Sequence, residues 1–197
     1  MGHIRIRTAA FAAALAILLN GGPAANAQTM GDPEEFSAFA VNMGSYVVGS
    51  TANVIITVNR WNTVADRDRL LTLLREKGQQ AFFEAIRDGK RVGSLRTPQS
   101  VGYDLRLAMD EPGPDGGRRI FIVTDRPIGF GEATYRPPSF DYPMTVIDMK
   151  IGADGKGEGT LSLAAKVIPA GKNIVVENYD TQPIRLNRIE SRKLTKR

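Results

Sequence analysis

Between Thr124 and Pro143 the chain reads TDRPIGFGEATYRPPSFDYP, and this stretch is the part most crowded with groups that could do chemistry. Asp125, Glu132 and Asp141 are carboxylates, Arg126 and Arg136 are cations, and Tyr135 and Tyr142 add phenols. Two carboxylates flanking a glycosidic bond form a complete acid–base set that needs no histidine. Asp104, on a neighbouring predicted strand, could join such a pair. The same mixture could hold a polar ligand without reacting with it. Trp61, the chain's single tryptophan, could stack on a sugar ring or seal the core beneath neighbouring helices. The candidate ligand-binding set is therefore Asp125, Arg126, Glu132, Tyr135, Arg136, Asp141 and Trp61. Pro127, Pro137, Pro138 and Pro143 stiffen the segment and lower the entropy cost of holding a site open. The competing reading is a lid, in which Ile128, Phe130 and Tyr135 tuck inward and cover a sheet edge.

Absences narrow the chemistry further. His3 is the only histidine and there is no cysteine. Beyond His3 the chain has no imidazole and no thiol, so Ser-His-Asp and Cys-His catalysis, His or Cys zinc sites and disulfides are closed to it. Carboxylate chemistry, Lys or Tyr as a base, oxygen-ligated metals, or no chemistry remain. Asp154 and Glu158 in GADGKGEG suggest a calcium loop, but the alternating ligands and distant Glu of that motif are missing. Asp154-Gly155 reads instead as a hairpin turn. No cofactor and no metal are expected, and the balance leans toward a non-enzymatic protein.

The chain opens with Arg5 and Arg7, an apolar run from Ala9 to Leu19, then Gly21, Gly22, Pro23 and small residues up to Ala27. This is the pattern of a secretory signal peptide over residues 1–27. The apolar run is shorter than the roughly 20 residues a bilayer span requires. A secreted or periplasmic protein is expected, with no transmembrane segment in the mature chain. The full chain carries a net charge of +5, and removing the signal segment would lower it by two. That excess is too mild to suggest nucleic acid. The expected partner is an unidentified small ligand, glycan or protein. The basic C-terminal stretch, with Arg185, Arg188, Arg192, Lys193, Lys196 and Arg197 against Glu190 alone, offers at most weak contact with an anionic surface.

The elements that must position these groups are mostly strands. VGYDLRLAM alternates, placing Val101, Tyr103, Leu105, Leu107 and Met109 on one face. RRIFIVT is continuously apolar, as in a strand covered on both sides. In TLSLAAKVI, Leu161, Leu163, Ala165 and Val167 share a face. One segment has helical spacing instead, with Leu70, Leu71 and Leu74 followed by Phe82, Ala85 and Ile86. Thr63 and Asp66 form a capping box at its start, and Gly78 and Gly89 stand where C-terminal caps belong. The predicted fold is α+β, mainly β: an antiparallel β-sandwich or open barrel with one inserted helical hairpin, about residues 63–88. Residues 28–35 form a flexible lead-in, 36–190 a single domain and 191–197 a basic tail. The hairpin's apolar face could alternatively dock a protein partner.

The segments FSAFAVNMG, RVGSLRTPQSVGYDLRLA, TDRPIGFGEA, DYPMTVIDMKI and VVENYDTQP together resemble a family of small secreted bacterial proteins, mostly hypothetical. The resemblance runs from Phe36 to about Ile189 and implies one secreted domain. No activity attaches to that family, so it transfers no functional residue.

Overall fold

The computed structural model describes residues 31–43, 51–98, 100–126, 141–170, 173–178 and 182–195. Its strands are β1 (Glu34–Val41), β2 (Thr51–Val58), β3 (Gly93–Arg96), β4 (Tyr103–Pro112), β5 (Arg118–Thr124), β6 (Met144–Ile151), β7 (Lys156–Ala170), β8 (Asn173–Asn178) and β9 (Ile184–Lys193). The helix α1 (Val64–Arg87) lies between β2 and β3, and a short 3₁₀ turn at Pro114–Gly116 joins β4 to β5.

The architecture is a closed antiparallel barrel, which corrects the expected sandwich or open barrel. Eight strands pair in the order β6-β5-β4-β3-β2-β1-β9-β7, and β7 pairs back to β6 to complete the ring. Closure depends on two features that alternation cannot reveal. The first and last strands pair along their whole length, Glu34 opposite Lys193 and Val41 opposite Arg185. The long β7 pairs with β9 through its first half and with β8 through its second. Closing the ring leaves its eight strands without a free edge.

Phe36, Ile56, Leu95, Leu105, Ile120, Ile122, Ile147, Met149, Leu161, Leu186 and their neighbours fill the barrel interior. A second cluster lies outside the wall, where Leu70, Leu74, Phe82 and Ile86 of α1 cover Leu107, Met109, Phe121, Val123, Val146 and Val167. β5 is therefore apolar on both faces, Ile120 and Ile122 inward and Phe121 and Val123 under the helix, as its continuous apolar run implied. Two predicted single-faced strands are split instead. The register of β4 shifts between Leu105 and Leu107, so Tyr103 and Leu105 face the interior while Leu107 and Met109 meet the helix. β7 shifts in the same way against β6, separating Leu161 and Leu163 from Ala165 and Val167. A one-residue bulge exchanges the faces of everything beyond it, which a strict period of two cannot anticipate.

The helical segment is one helix with a break, which corrects the expected hairpin. Thr63 and Asp66 form the capping box in both directions. Gly78 has φ 80° and ψ −176°, outside helical space. A single such residue bends the path but cannot reverse it, since an antiparallel helix pair needs a connection of about 2–5 residues. The two halves therefore lay their apolar residues on the same barrel wall. The predicted turn at Asp154-Gly155 is present, with Gly155 at φ 78°, and a second reversal at Pro114–Gly117 places Gly116 at φ 73°. β1 begins within the expected lead-in and β9 continues into the expected tail, tied by Leu194 N–H donating to the Pro33 carbonyl. No helix among the described residues is long and apolar enough to cross a membrane.

Candidate functional site

One mouth of the barrel is closed by charge. Glu34 continues the inward series Phe36, Ala38, Ala40 of β1, and Arg118 precedes the inward Ile120 and Ile122 of β5. The two strands lie on different sides of the ring, yet both terminal nitrogens of Arg118, Nη1 and Nη2, donate to the Glu34 carboxylate. Lys193 Nζ donates to Glu34 at 2.8 Å, and Arg118 Nη1 also reaches Asp110 at 2.9 Å. The Glu34 side chain is only 1% exposed. Burial pushes its pKa upward, but hydrogen bonds and charge from Arg118 and Lys193 outweigh burial and hold it below the ordinary carboxylate range. Beneath this plug the Arg118 guanidinium lies 5.9 Å from the Phe36 ring centre, and Phe36 meets Trp61 edge-on at 6.3 Å.

Above the plug is an open cleft of about 470 Å³, lined by Gly31, Trp61, Asn62, Thr63, Val64, Arg67, Met109, Asp110, Glu111, Pro112 and Arg118. Local structure explains its shape. Trp61 follows β2, and its indole N–H donates to the Asp32 carbonyl at 3.0 Å. Gly31 is needed there because a Cβ at that position would sit 2.8 Å from Trp61 Cδ1. Asn62 brackets Ala108: its N–H donates to the Ala108 carbonyl at 2.8 Å, and its Oδ1 accepts the Ala108 N–H at 2.9 Å. Asp66 lies below its ordinary pKa, chiefly through the Thr63 backbone N–H of the capping box. Arg67, one turn into α1, donates to Glu111 at 2.9 Å and to Asp68. The cleft thus has an aromatic floor, a helix N-terminus on one wall and an alternating Arg–carboxylate rim. Val64, 42% exposed, stands in it as an uncovered apolar surface.

The predicted site residues are divided by this arrangement. Trp61 lies in the cleft, 4% exposed, with its edge toward Phe36. Asp125 lies just past the opposite end of β5 from Arg118, about 23 Å along the strand at the usual rise. There Asp125 belongs to a chain of alternating charge, Arg91–Asp104–Arg106–Asp125–Arg126, with Arg106 Nε donating to Asp125 at 3.0 Å. The Asp141 carbonyl accepts from Gln79 Nε2 of α1 at 2.6 Å, and Tyr142 donates to Glu177 of β8 at 2.7 Å. Glu132, Tyr135 and Arg136 lie outside the described residues. Asp125 and Trp61 are therefore not neighbours, while Asp125 shares its network with Arg126.

Sequence reasoning missed Glu34, Arg67, Asp110, Glu111 and Arg118. The period of two through Glu34, Phe36, Ala38 and Ala40 could have marked Glu34 as inward, since a buried carboxylate demands a cationic partner. Nothing in the local pattern names Arg118 as that partner, 84 residues away. No family model, curated protein or solved structure matches this chain.

Proposed function

We propose that this is a non-enzymatic binding or accessory protein of the cell envelope, secreted or periplasmic after loss of residues 1–27, with the Trp61–Arg118 cleft as its ligand site. The observation carrying this reading is the pairing of a filled barrel with an open, polar-rimmed cleft of about 470 Å³ over a buried aromatic pair. Ligand sites are typically concave, mixing apolar floor with a few placed polar groups. Such a rim, built of the Arg67–Glu111 and Arg118–Asp110 pairs, suits a small polar ligand that offers both donors and acceptors. Among the described residues, the carboxylates with displaced acidity, Glu34 and Asp66, are both shifted down, whereas a general acid at neutral pH must be shifted up. The apolar face of α1 is spent on the barrel wall, with Phe82 and Ile86 buried, and is not offered to a partner.

The test is a thermal-shift screen of residues 28–197 against oligosaccharides, peptides, lipids and divalent metals. A ligand at a hundredfold excess over its Kd adds about 2.7 kcal/mol of stability. The expected result is a hit whose shift disappears in Val64→Gln, which places a long side chain in the cleft at an exposed position. A hit that survives Val64→Gln unchanged would move the site elsewhere.

A further inference from the structure

A second concavity, of about 480 Å³, lies on the outer wall where β6, β7 and β9 run side by side. Two cross-strand rows form it. Asp148, Thr160 and Arg185 stand opposite one another across the three strands, and Lys150 stands opposite Glu158 in the next row. Arg188 in β9 has φ 50°, and the register of β9 shifts at this point against both β1 and β7. Bulges of this kind bend a strand and re-aim its side chains, and they recur beside binding sites. Asn187 of the bulge and Gln182 at the approach to β9 line the same concavity.

The charges here are used differently from those at the barrel mouth. Asp148 is committed to Arg119 through two hydrogen bonds, at 2.9 and 2.6 Å. Lys150 and Arg185 make no salt bridge among the described residues, and Glu158 opposite Lys150 does not come within ion-pair distance. Lys150 and Arg185 lie two strand spacings and one row apart, about 12 Å. The Thr160 hydroxyl lies between them, with Asn187 beyond Arg185 toward the Lys150 row and Gln182 on the other side of Arg185. Cations this far apart cannot clamp one small anion but can meet successive charges on an extended one, while hydroxyl and amide groups hydrogen-bond to hydroxyls. We propose that this groove binds a strand of acidic polysaccharide, a second site independent of the cleft.

Affinity electrophoresis through gels containing polygalacturonate, with neutral dextran as reference, tests it on residues 28–197. The wild-type protein is expected to be retarded by polygalacturonate and not by dextran, less so as salt rises. Lys150→Gln with Arg185→Gln should weaken retardation at least tenfold, and Asn187→Ala should weaken it severalfold without changing charge. Lys77→Gln with Lys90→Gln removes the same charge elsewhere and should stay within twofold of wild type. Melting curves confirm that each variant is folded. No retardation of the wild type, equal losses in both double variants, or binding to phosphatidylglycerol vesicles in place of the polysaccharide would each overturn the proposal.

Discussion

Replacing Glu34 by Gln keeps the shape of the plug and removes its charge. Arg118 would retain Asp110, while Lys193, already more than half exposed, would return to solvent. Breaking a fully buried ion pair from one side costs about 3–5 kcal/mol. Because Arg118 keeps one partner and some exposure, about 2–3 kcal/mol is expected here. At roughly 2–4 °C per kcal/mol for a chain of this size, Tm should fall by about 4–12 °C. Glu35→Gln is the internal comparison, since Glu35 pairs with the exposed Arg192 and should cost less than about 1 kcal/mol. The pH dependence supplies the sign. Glu34 titrates lower when folded than unfolded, so its contribution is present in full above its ordinary value of 4.5 and fades as pH falls toward the folded value. Thermal melts at pH 7 and at pH 3 should therefore show the wild-type advantage over Glu34→Gln shrinking in acid. A Glu34→Gln loss no larger than that of Glu35→Gln at pH 7, or a gap that widens in acid, would refute the plug.

Phe82→Ala should cost about 3–5 kcal/mol, because the ring is fully buried between α1 and the wall. Urea titration reads that loss directly. Gly93→Ala should leave little folded protein, seen as lost near-ultraviolet dichroism, because its Cβ would lie 2.0 Å from the Thr57 carbonyl oxygen where β3 pairs with β2. Gly78→Ala meets no atom within 4 Å, so its cost is backbone strain alone, about 1–3 kcal/mol, read by the same urea titration.

What the sequence revealed follows the range of the interaction concerned. The capping box of α1, the turn at Gly155 and the two-sided burial of β5 are local, and residue types within a few positions determine them. The closed ring depends on β1 meeting β9, and the mouth depends on Glu34 finding Arg118, both across long stretches of chain. Alternation reports which face a side chain occupies, not which strand lies beside it. It also fails at bulges, as at Arg106 and near Leu163, where one added residue turns the following side chains outward. Trp61 was singled out by type, but its burial against Phe36 belongs to tertiary packing. Polar types cluster visibly in the Thr124–Pro143 segment, whereas the cleft is assembled from Gly31, the β2–α1 connection, α1, β4 and β5, no one of which is conspicuous alone.

The most direct measurement of the cleft as a ligand site is the emission of Trp61 during titration with any ligand that stabilises residues 28–197. Because Trp61 is the chain's only tryptophan and lines the cleft, its spectrum reports on that place alone. A saturable change in emission is expected, with the same Kd as the thermal shift, abolished by Val64→Gln. Clear stabilisation with unchanged Trp61 emission would contradict it.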